Sequence, residues 1–340
     1  MRCKQGTMRT NIRQVAAFAG VSRTTVSNVL LGKEGRITVA KRAEVLRAVE
    51  ELGYLPVRPV LQNRSGETRV LALALHDPRL VRYDFHSQVY AGICEAALRH
   101  DYDVLTMLRS EPDWAVNRVA VRLLDRRSDG ILILPTDEGN SATLRALVQH
   151  GVPAVVCYQR DVPEGIAWVD PDNESAIQSM VNLLVAAGHT RIAHLTYCVQ
   201  TQYDFRERKR FFIEAMQRAG LPLLEGGIIE APYDVTPDRA EQVVATGATA
   251  VVCANDWLAI GLWNELERMG LRVPEDISLT GIDNQQPADA RGLTTVEFSY
   301  GEVGGLAVEA LIGRISGKSV TECCYEVAPR ICERNSVRQV

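Results

Sequence analysis

Residues 12–30 read Ile12-Arg-Gln-Val-Ala-Ala-Phe-Ala-Gly-Val-Ser-Arg-Thr-Thr-Val-Ser-Asn-Val-Leu30. Ile12, Val15, Ala16 and Ala19 recur at helical spacing, which predicts a helix over Asn11–Phe18 with Thr10 as its cap. Gly20 closes that helix, Val21 turns, and Ser22 caps a second one, Arg23–Leu30. At about 100° per residue, with Arg23 at the origin, Ser27 falls at about 40°, Thr24 at about 100° and Asn28 at about 140°. Val29 and Val26 fall at about 240° and about 300°, on the other side. One short helix thus presents Arg23, Thr24, Ser27 and Asn28 outward and docks its valines inward. Two short helices joined by a glycine-containing turn, the second with a hydrogen-bonding face, make a helix-turn-helix arrangement. Arginine can hold guanine bidentately and asparagine adenine, while serine and threonine suit phosphate or either base. Ser22, Arg23, Thr24, Thr25, Ser27 and Asn28 are therefore the DNA-binding candidates. The alternative is a three-helix cap with a solvated polar face.

A third helix is expected over Val39–Leu52, capped by Thr38, with Val45, Ala48, Val49 and Leu52 on one face and Gly53 at its end. Residues 55–68, LPVRPVLQNRSGET, carry two prolines and a polar tail, the composition of a linker. Charge divides at the same place. Residues 1–68 hold 12 basic and 5 acidic side chains, a net of +7. The remainder carries −11, so the total of −4 hides a small basic head on a large acidic body. Such a head suits a polyanion.

From Arg69 onward, apolar strands alternate with amphipathic helices. Strands are expected at Val70–Leu75, Val104–Leu108, Gly130–Leu134, Ala154–Tyr158, Ile192–Thr196, Ala250–Ala254 and Ile277–Ile282. Helices are expected at Ser87–His100, Ser175–Ala187, Phe211–Ala219 and Leu258–Met269. Near-continuous apolar strands between helices mean parallel sheets covered on both faces. About 270 residues exceed one such sheet, so two α/β lobes are expected. With 46% hydrophobic and 24% charged residues, the composition excludes disordered and fibrous classes. No run of about 18 apolar residues is present, and the basic start has no apolar stretch behind it, so a cytoplasmic protein is expected. The eight cysteines form no C-x-x-C pair and lack zinc-ligand spacing to histidine, so neither metal nor cofactor is expected. Phosphate-binding glycine loops, the G-x-S-x-G elbow and H-E-x-x-H are all absent, which argues against an enzyme. His189, in Gly-His-Thr-Arg, reads as structural from its place between a helix end and a strand.

The stretch Ile12–Leu30, with Arg42-Ala-Glu-Val45 and Glu50-Glu-Leu-Gly-Tyr54-Leu-Pro56, resembles the DNA-binding head of the LacI/GalR family of transcriptional repressors. The family pattern begins near Thr10, which makes Met8 an alternative start to Met1. In that family a short hinge helix folds on the operator and inserts a leucine into the minor groove. Here the leucine position is Asn63, Leu61 lies two residues earlier, and Pro59 falls within the expected helix. An apolar wedge opens a base step and asparagine does not, so either Leu61 serves in a shifted register, the reading favoured over Asn63, or this protein bends its DNA less.

The resemblance extends over the body through Asp129-Gly-Ile-Leu132, Gly151-Val-Pro-Ala-Val155, Asp172-Asn173, Ala187-Gly-His-Thr-Arg-Ile-Ala193, Val273-Pro-Glu-Asp-Ile-Ser278, Gly281-Ile-Asp283, Leu293-Thr-Thr-Val296 and Ile331-Cys-Glu-Arg-Asn-Ser336. It implies an α/β fold: an N-terminal three-helix helix-turn-helix domain, then two doubly wound parallel lobes joined by three crossovers. The domains expected are 1–54 (head), 55–68 (linker) and 69–340 (effector-binding and dimerisation body). The first lobe takes about 69–168 plus 288–318, and the second about 169–287 plus 319–340. By family motif the effector contacts are Arg208, Asp256 and Asp283, whose alternative is interlobe or helix-cap pairing, with Asp256 as the N-cap of the following helix; Asp77, Phe85, Arg160 and Tyr233 are further candidates. Trp257 is a possible stacking ring, and Gln159 stands where many sugar-responsive relatives carry aspartate. The implied function is a ligand-responsive repressor, a homodimer on a palindromic double-stranded DNA operator, controlled by a sugar or similar small polar metabolite. Four residues follow Ser336 with no heptad tail, so a dimer rather than a tetramer is expected. The competing reading is a small-molecule-binding or metabolic α/β protein whose basic helices serve only oligomerisation.

Overall fold

The computed structural model describes residues 11–30, 37–52, 67–75, 84–108, 127–134, 140–198, 202–232 and 234–340. It divides into two compact units, Met1–Gly66 and Glu67–Val340.

The first unit holds α1 (Ile12–Phe18), α2 (Arg23–Leu30) and α3 (Val39–Glu51). Its core is six small side chains, Val15, Ala16, Val26, Val29, Val45 and Ala48. Thr10 was the expected cap of α1, but Asn11 holds that place. Its Oδ1 accepts from the backbone of Arg13 and Gln14, and Gln14 Oε1 accepts from Asn11 N at 2.8 Å. That reciprocal box satisfies donors that open any helix. Ser22 caps α2 as expected, its Oγ accepting from Thr25 N at 3.1 Å.

The second unit contains two six-stranded sheets. The first sheet uses β1 (Val70–Leu75), β2 (Asp103–Leu108), β3 (Gly130–Ile133), β4 (Ala154–Cys157), β5 (Ala167–Pro171) and β11 (Tyr325–Val327), in the order β11-β5-β4-β3-β1-β2. The second uses β6 (Ile192–Tyr197), β7 (Ile228–Ala231), β8 (Ala250–Cys253), β9 (Ser278–Ile282), β10 (Thr294–Phe298) and β12 (Pro329–Cys332), ordered β12-β10-β9-β8-β6-β7. Every pairing is parallel except β10 with β12. The helices are α4 (Asp84–Arg99), α5 (Asn140–Gln149), α6 (Asn173–Ala186), α7 (Tyr203–Arg218), α8 (Pro237–Ala245), α9 (Asp256–Arg268), α10 (Gln286–Arg291) and α11 (Tyr300–Ile315). The two strand orders are the same permutation, so β4 in one lobe corresponds to β9 in the other.

The chain crosses between lobes three times: after Pro171, after Phe298 and between Val327 and Pro329. This corrects the expected lobe limits. Residues 288–318 were expected in the first lobe, but β10 hydrogen-bonds beside β9 in the second, and only α11 returns. Likewise 319–340 is divided, β11 joining the first sheet and β12 the second. β5 lies wholly in the first sheet, beyond the expected limit at 168.

α11 packs on α4 at backbone contact. A Cβ at Gly304 would overlap the Val89 carbonyl oxygen, and one at Gly92 the Gly301 carbonyl oxygen. Glycines at this crossing bring the amino ends of both helices together, which places Phe85, His86 and Tyr300 side by side. At the start of the body, Asp129 clamps the chain ahead of β1. Its Oδ1 accepts from Thr68 N at 2.6 Å and Thr68 Oγ1 at 2.8 Å, and its Oδ2 from Arg69 N at 2.8 Å.

Candidate functional site

On α2, Val26 and Val29 are buried while Arg23 and Thr24 are exposed and Thr25, Ser27 and Asn28 half-buried. The amphipathic division expected from spacing is therefore present in the folded head. Ser22 and Thr25 share a hydroxyl–hydroxyl bond of 2.9 Å at the amino end of α2. Leu61 and Asn63, expected in the hinge, lie outside the described residues, as do the effector candidates Asp77 and Tyr233.

In the body, the chemistry gathers between the lobes at the carboxyl ends of the strands, where ligands meet parallel sheets. Arg208, on α7, is 4% exposed. Its Nε donates to Asn173 Oδ1 at 2.7 Å, one terminal nitrogen donates to the Ala254 carbonyl at 2.6 Å, and the other lies 3.6 Å from Asp283 Oδ1. The Tyr300 hydroxyl, at the amino end of α11, donates to that same Asp283 oxygen at 2.6 Å. That bond ties the first lobe's helix to a loop of the second lobe. Burial pushes Asp283 above the ordinary carboxylate range, against the pull of Arg208 and Tyr300. Asn173 also donates to Asp204 Oδ1 at 3.2 Å, so one amide links the arginine to a further acid.

The opposing wall is aromatic. Phe85 lies 5.3 Å from Tyr300 and 6.2 Å from Tyr158 between ring centroids, and His86 stacks on Tyr158 at 5.9 Å. Burial lowers His86 to about 4, so it is neutral at physiological pH. Tyr158 and Asp283 follow the corresponding strands β4 and β9, and both have positive φ, 63° and 106°. Side chains rarely adopt that region, and such strain collects at ligand-facing positions.

Arg160 reaches Asp170 rather than open space. Its Nε donates to Asp170 Oδ2 at 2.7 Å, it pairs with Glu326, and its guanidinium lies 4.9 Å over the Trp168 ring.

Asp256 is engaged within its own lobe. Expected at the effector, it is 1% exposed, and its Oδ1 accepts from Thr295 Oγ1 at 2.6 Å and its Oδ2 from Gln285 N at 2.7 Å. It braces the ends of β9 and β10 from behind, and Gly281 has no side chain because a Cβ there would overlap Asp256 Oδ1. Asn255, not Asp256, caps α9, accepting from Leu258 N at 2.9 Å. Gln159 donates to the Asp161 carbonyl at 2.8 Å, and it is the neighbouring Tyr158 that enters the aromatic wall. Trp257 is 44% exposed. His189 bonds Thr249 Oγ1 at 2.9 Å and Ser278 Oγ at 3.0 Å, a structural tie between strand starts.

Tyr158, Asp170, Asn173, Asp204 and Tyr300 were not among the sequence candidates. The first two stand at the carboxyl ends of β4 and β5, a position rule that could have found them. A depression of ≈ 580 Å³ lies apart, beside β7 and α8, lined by Glu225, Glu230, Arg239 and Gln242 among others. The seven described cysteines are free, with Cys157 raised to about 12 by burial, which makes it inert. Among the described residues, no group of three or more His, Cys, Asp or Glu could hold a metal, and no helix is long and apolar enough to cross a membrane.

Residues 11–57 match the bacterial regulatory proteins of the lacI family, and residues 181–337 match a periplasmic binding protein-like domain. The chain is 30% identical, over 97% of its length and 99% of the relative's, to the HTH-type transcriptional repressor PurR of Vibrio vulnificus (strain CMCP6). The chain belongs to the lacI family. Among solved structures, the complex of the transcriptional regulator CelR with cellobiose aligns with a TM-score of 0.70 at 26% identity, covering 96% of this chain and all of that one. The lac repressor dimer bound to operator and the anti-inducer ONPF aligns with a TM-score of 0.82 at 23% identity, over 97% of this chain and 100% of that one, a likeness of fold. As a lacI-family member the chain is a DNA-binding transcriptional repressor with a ligand-sensing body, and its relatives are repressors rather than enzymes.

Proposed function

We propose that this repressor binds a two-fold operator as a homodimer, and that a small polar metabolite between its lobes sets its affinity for DNA. The observation that carries this reading is the Tyr300–Asp283–Arg208 chain. It runs from one lobe to the other beside an aromatic wall, at the strand ends where such sheets take ligands. A molecule held there touches both lobes, so it favours one arrangement of them over another. Whatever weakens operator binding then binds less well on the operator, since coupling is reciprocal. A sugar or sugar derivative is the favoured effector. An aromatic wall facing acids suits a ring bearing hydroxyls, and one similar regulator was solved in complex with cellobiose. Work on DNA places the protein in the cytoplasm.

In the head, Arg23, Thr24, Ser27 and Asn28 read base edges, with Ser22 and Thr25 at the backbone; Leu61 rather than Asn63 serves as the wedge. Fluorescence anisotropy on DNA upstream of its own gene, at several salt concentrations, tests the whole reading. Sequence-selective, salt-sensitive binding that changes with a thermal-shift hit supports it, whereas its absence returns the chain to the oligomerising alternative. Asn28→Ala should relax preference at one base position by about 1–3 kcal/mol. Equal loss on all sequences would make Asn28 a phosphate contact.

A further inference from the structure

Among the described residues, the cleft offers its ligand acceptors rather than cations. Arg208 is the buried cation best placed to grip an anion, but its nitrogens are directed at Asn173, the Ala254 carbonyl and Asp283. Arg160 is held by Asp170 and Glu326 and covers Trp168. Neither has a fork left for a phosphate or carboxylate, the geometry such recognition needs.

What is left over is of the opposite kind. Asp170 is 1% exposed, and among the described residues its Oδ1 has no hydrogen-bond partner. The Tyr158 hydroxyl, on a side chain 6% exposed, has none either. Yet Tyr158 lies within electrostatic reach of Asp204, Asp283 and Asp170. One donor and one acceptor without partners therefore share a neighbourhood with two further acids and do not bond each other. A buried acceptor left open costs stability, so a structure keeps one where something else completes it. The acids also press on each other. Burial first, then the charge of Asp204, raises Asp170 to about 7, and burial raises Asp204 to about 6 with Asp283 adding to it. Another negative charge would increase that pressure, while donor groups relieve it.

We propose that Asp170 and Asp204 are specificity determinants that select an effector bearing hydrogen-bond donors, neutral or cationic, and reject anionic metabolites. The aromatic wall of Phe85, Tyr158 and Tyr300 takes the face of its ring, and the Tyr158 hydroxyl completes a bond to it. This rests on the reading that the effector occupies the cleft.

The test has two parts, on the full-length chain at pH 7.5. First, melting temperatures are measured without ligand for Asp170→Asn and Asp204→Asn. An acceptor held open for a ligand gives variants that melt higher than wild type. Lower melting in both overturns the proposal, because the acids are then structural partners of Arg160 and Asn173. Second, thermal shifts are recorded with sets matched in skeleton: glucose, glucosamine, glucose 6-phosphate and gluconate, and adenosine with its monophosphate. Stabilisation by neutral or amino members alone, weakened at least about tenfold in Asp170→Asn, supports selection by these acids. An anionic member that stabilises wild type and loses its effect in Phe85→Ala overturns the selectivity but leaves the cleft as effector site. A probe whose effect survives in both Asp170→Asn and Phe85→Ala binds elsewhere, and overturns the cleft reading together with this one.

Discussion

The two lobes share one strand order and differ in what they bring to the gap between them. The first contributes chiefly rings, from the amino ends of α4 and α11 and from the end of β4, with Asp170 of β5 as its buried acid. The second contributes charge: Arg208 and Asp204 on α7, Asp283 after β9, with Asn173 connecting them. Tyr158 and Asp283 occupy corresponding places, and there the same strained backbone carries a ring on one side and an acid on the other. The lesson is that matching scaffolds fix where side chains converge, whereas residue choice decides what each wall does. A ring wall gives contact area with little directionality. A charged wall gives direction, and it must be internally paired or it destabilises the fold.

The sharpest way to break the comparison is at the helix crossing that assembles the rings. Gly304→Val pushes a side chain into the Val89 backbone, where nothing can yield, and should prevent recovery of folded body. Circular dichroism and size exclusion would show it, and a normally melting variant would mean that the helices can separate cheaply. On the charged side, Arg208→Ala leaves Asn173 and the Ala254 carbonyl without their donor, and Asp283 and Asp204 without their countercharge. It should cost about 3–5 kcal/mol in urea unfolding. Asp256→Asn sharpens the contrast between brace and contact. It should lower stability by about 1–3 kcal/mol while leaving effector affinity within about threefold, as titration calorimetry would show.

The smallest effect is on pH dependence. Asp170 and Asp204 have folded values raised to about 7 and about 6, so their favourable contribution is complete below about pH 4 and is lost as pH rises through those values. His86 and His194, lowered to about 4, act oppositely, losing their contribution as pH falls below about 6.5. Between pH 6.5 and 8 the acids' loss and the histidines' gain nearly offset, so the wild-type melting temperature should change by less than about 2 °C. Asp170 is faced by Arg160, Tyr158 and Cys157 from its own lobe and by Asp204, Arg208 and Tyr203 from the other. Asp170→Asn removes the larger opposing contribution, so its melting temperature should rise with pH over this interval, and a profile like the wild type's would place the titrating group elsewhere.

How far these walls could be read beforehand follows from the range of each signal. The head is legible because its caps, turn glycine and valine spacing are all local, with Asn11 against Thr10 a shift of one position. Long apolar strands such as Val70–Leu75 and Ile192–Tyr197 declare themselves, while β5, β7, β10, β11 and β12 are three to five residues long and mix polar residues into partly buried or edge positions. α7 begins eight residues before its expected start because its first turns are charged, so Arg208 was found by motif rather than by helix pattern. Asp283 was likewise legible from Gly281-Ile-Asp283. Asp170, Asp204 and Tyr300 were not, since they converge only through the crossovers, and placing β10 in the wrong lobe separates Tyr300 from its partner. Asp256 is the converse case: its motif marks a strand end, but the direction of its oxygens depends on Thr295 and Gln285, far along the chain.

The Asp129 clamp on Thr68 and Arg69 bears on how a signal leaves the body. Three hydrogen bonds donated to one carboxylate give the chain no slack at the point where it departs toward the head. A first lobe that tilts carries this point rigidly with it, as a lever carries its tip. In a dimer the distance between the two departure points is then set by lobe posture alone. Asp129→Ala would add play to that linkage, and operator affinity would answer the effector less steeply even if the effector bound as tightly as before.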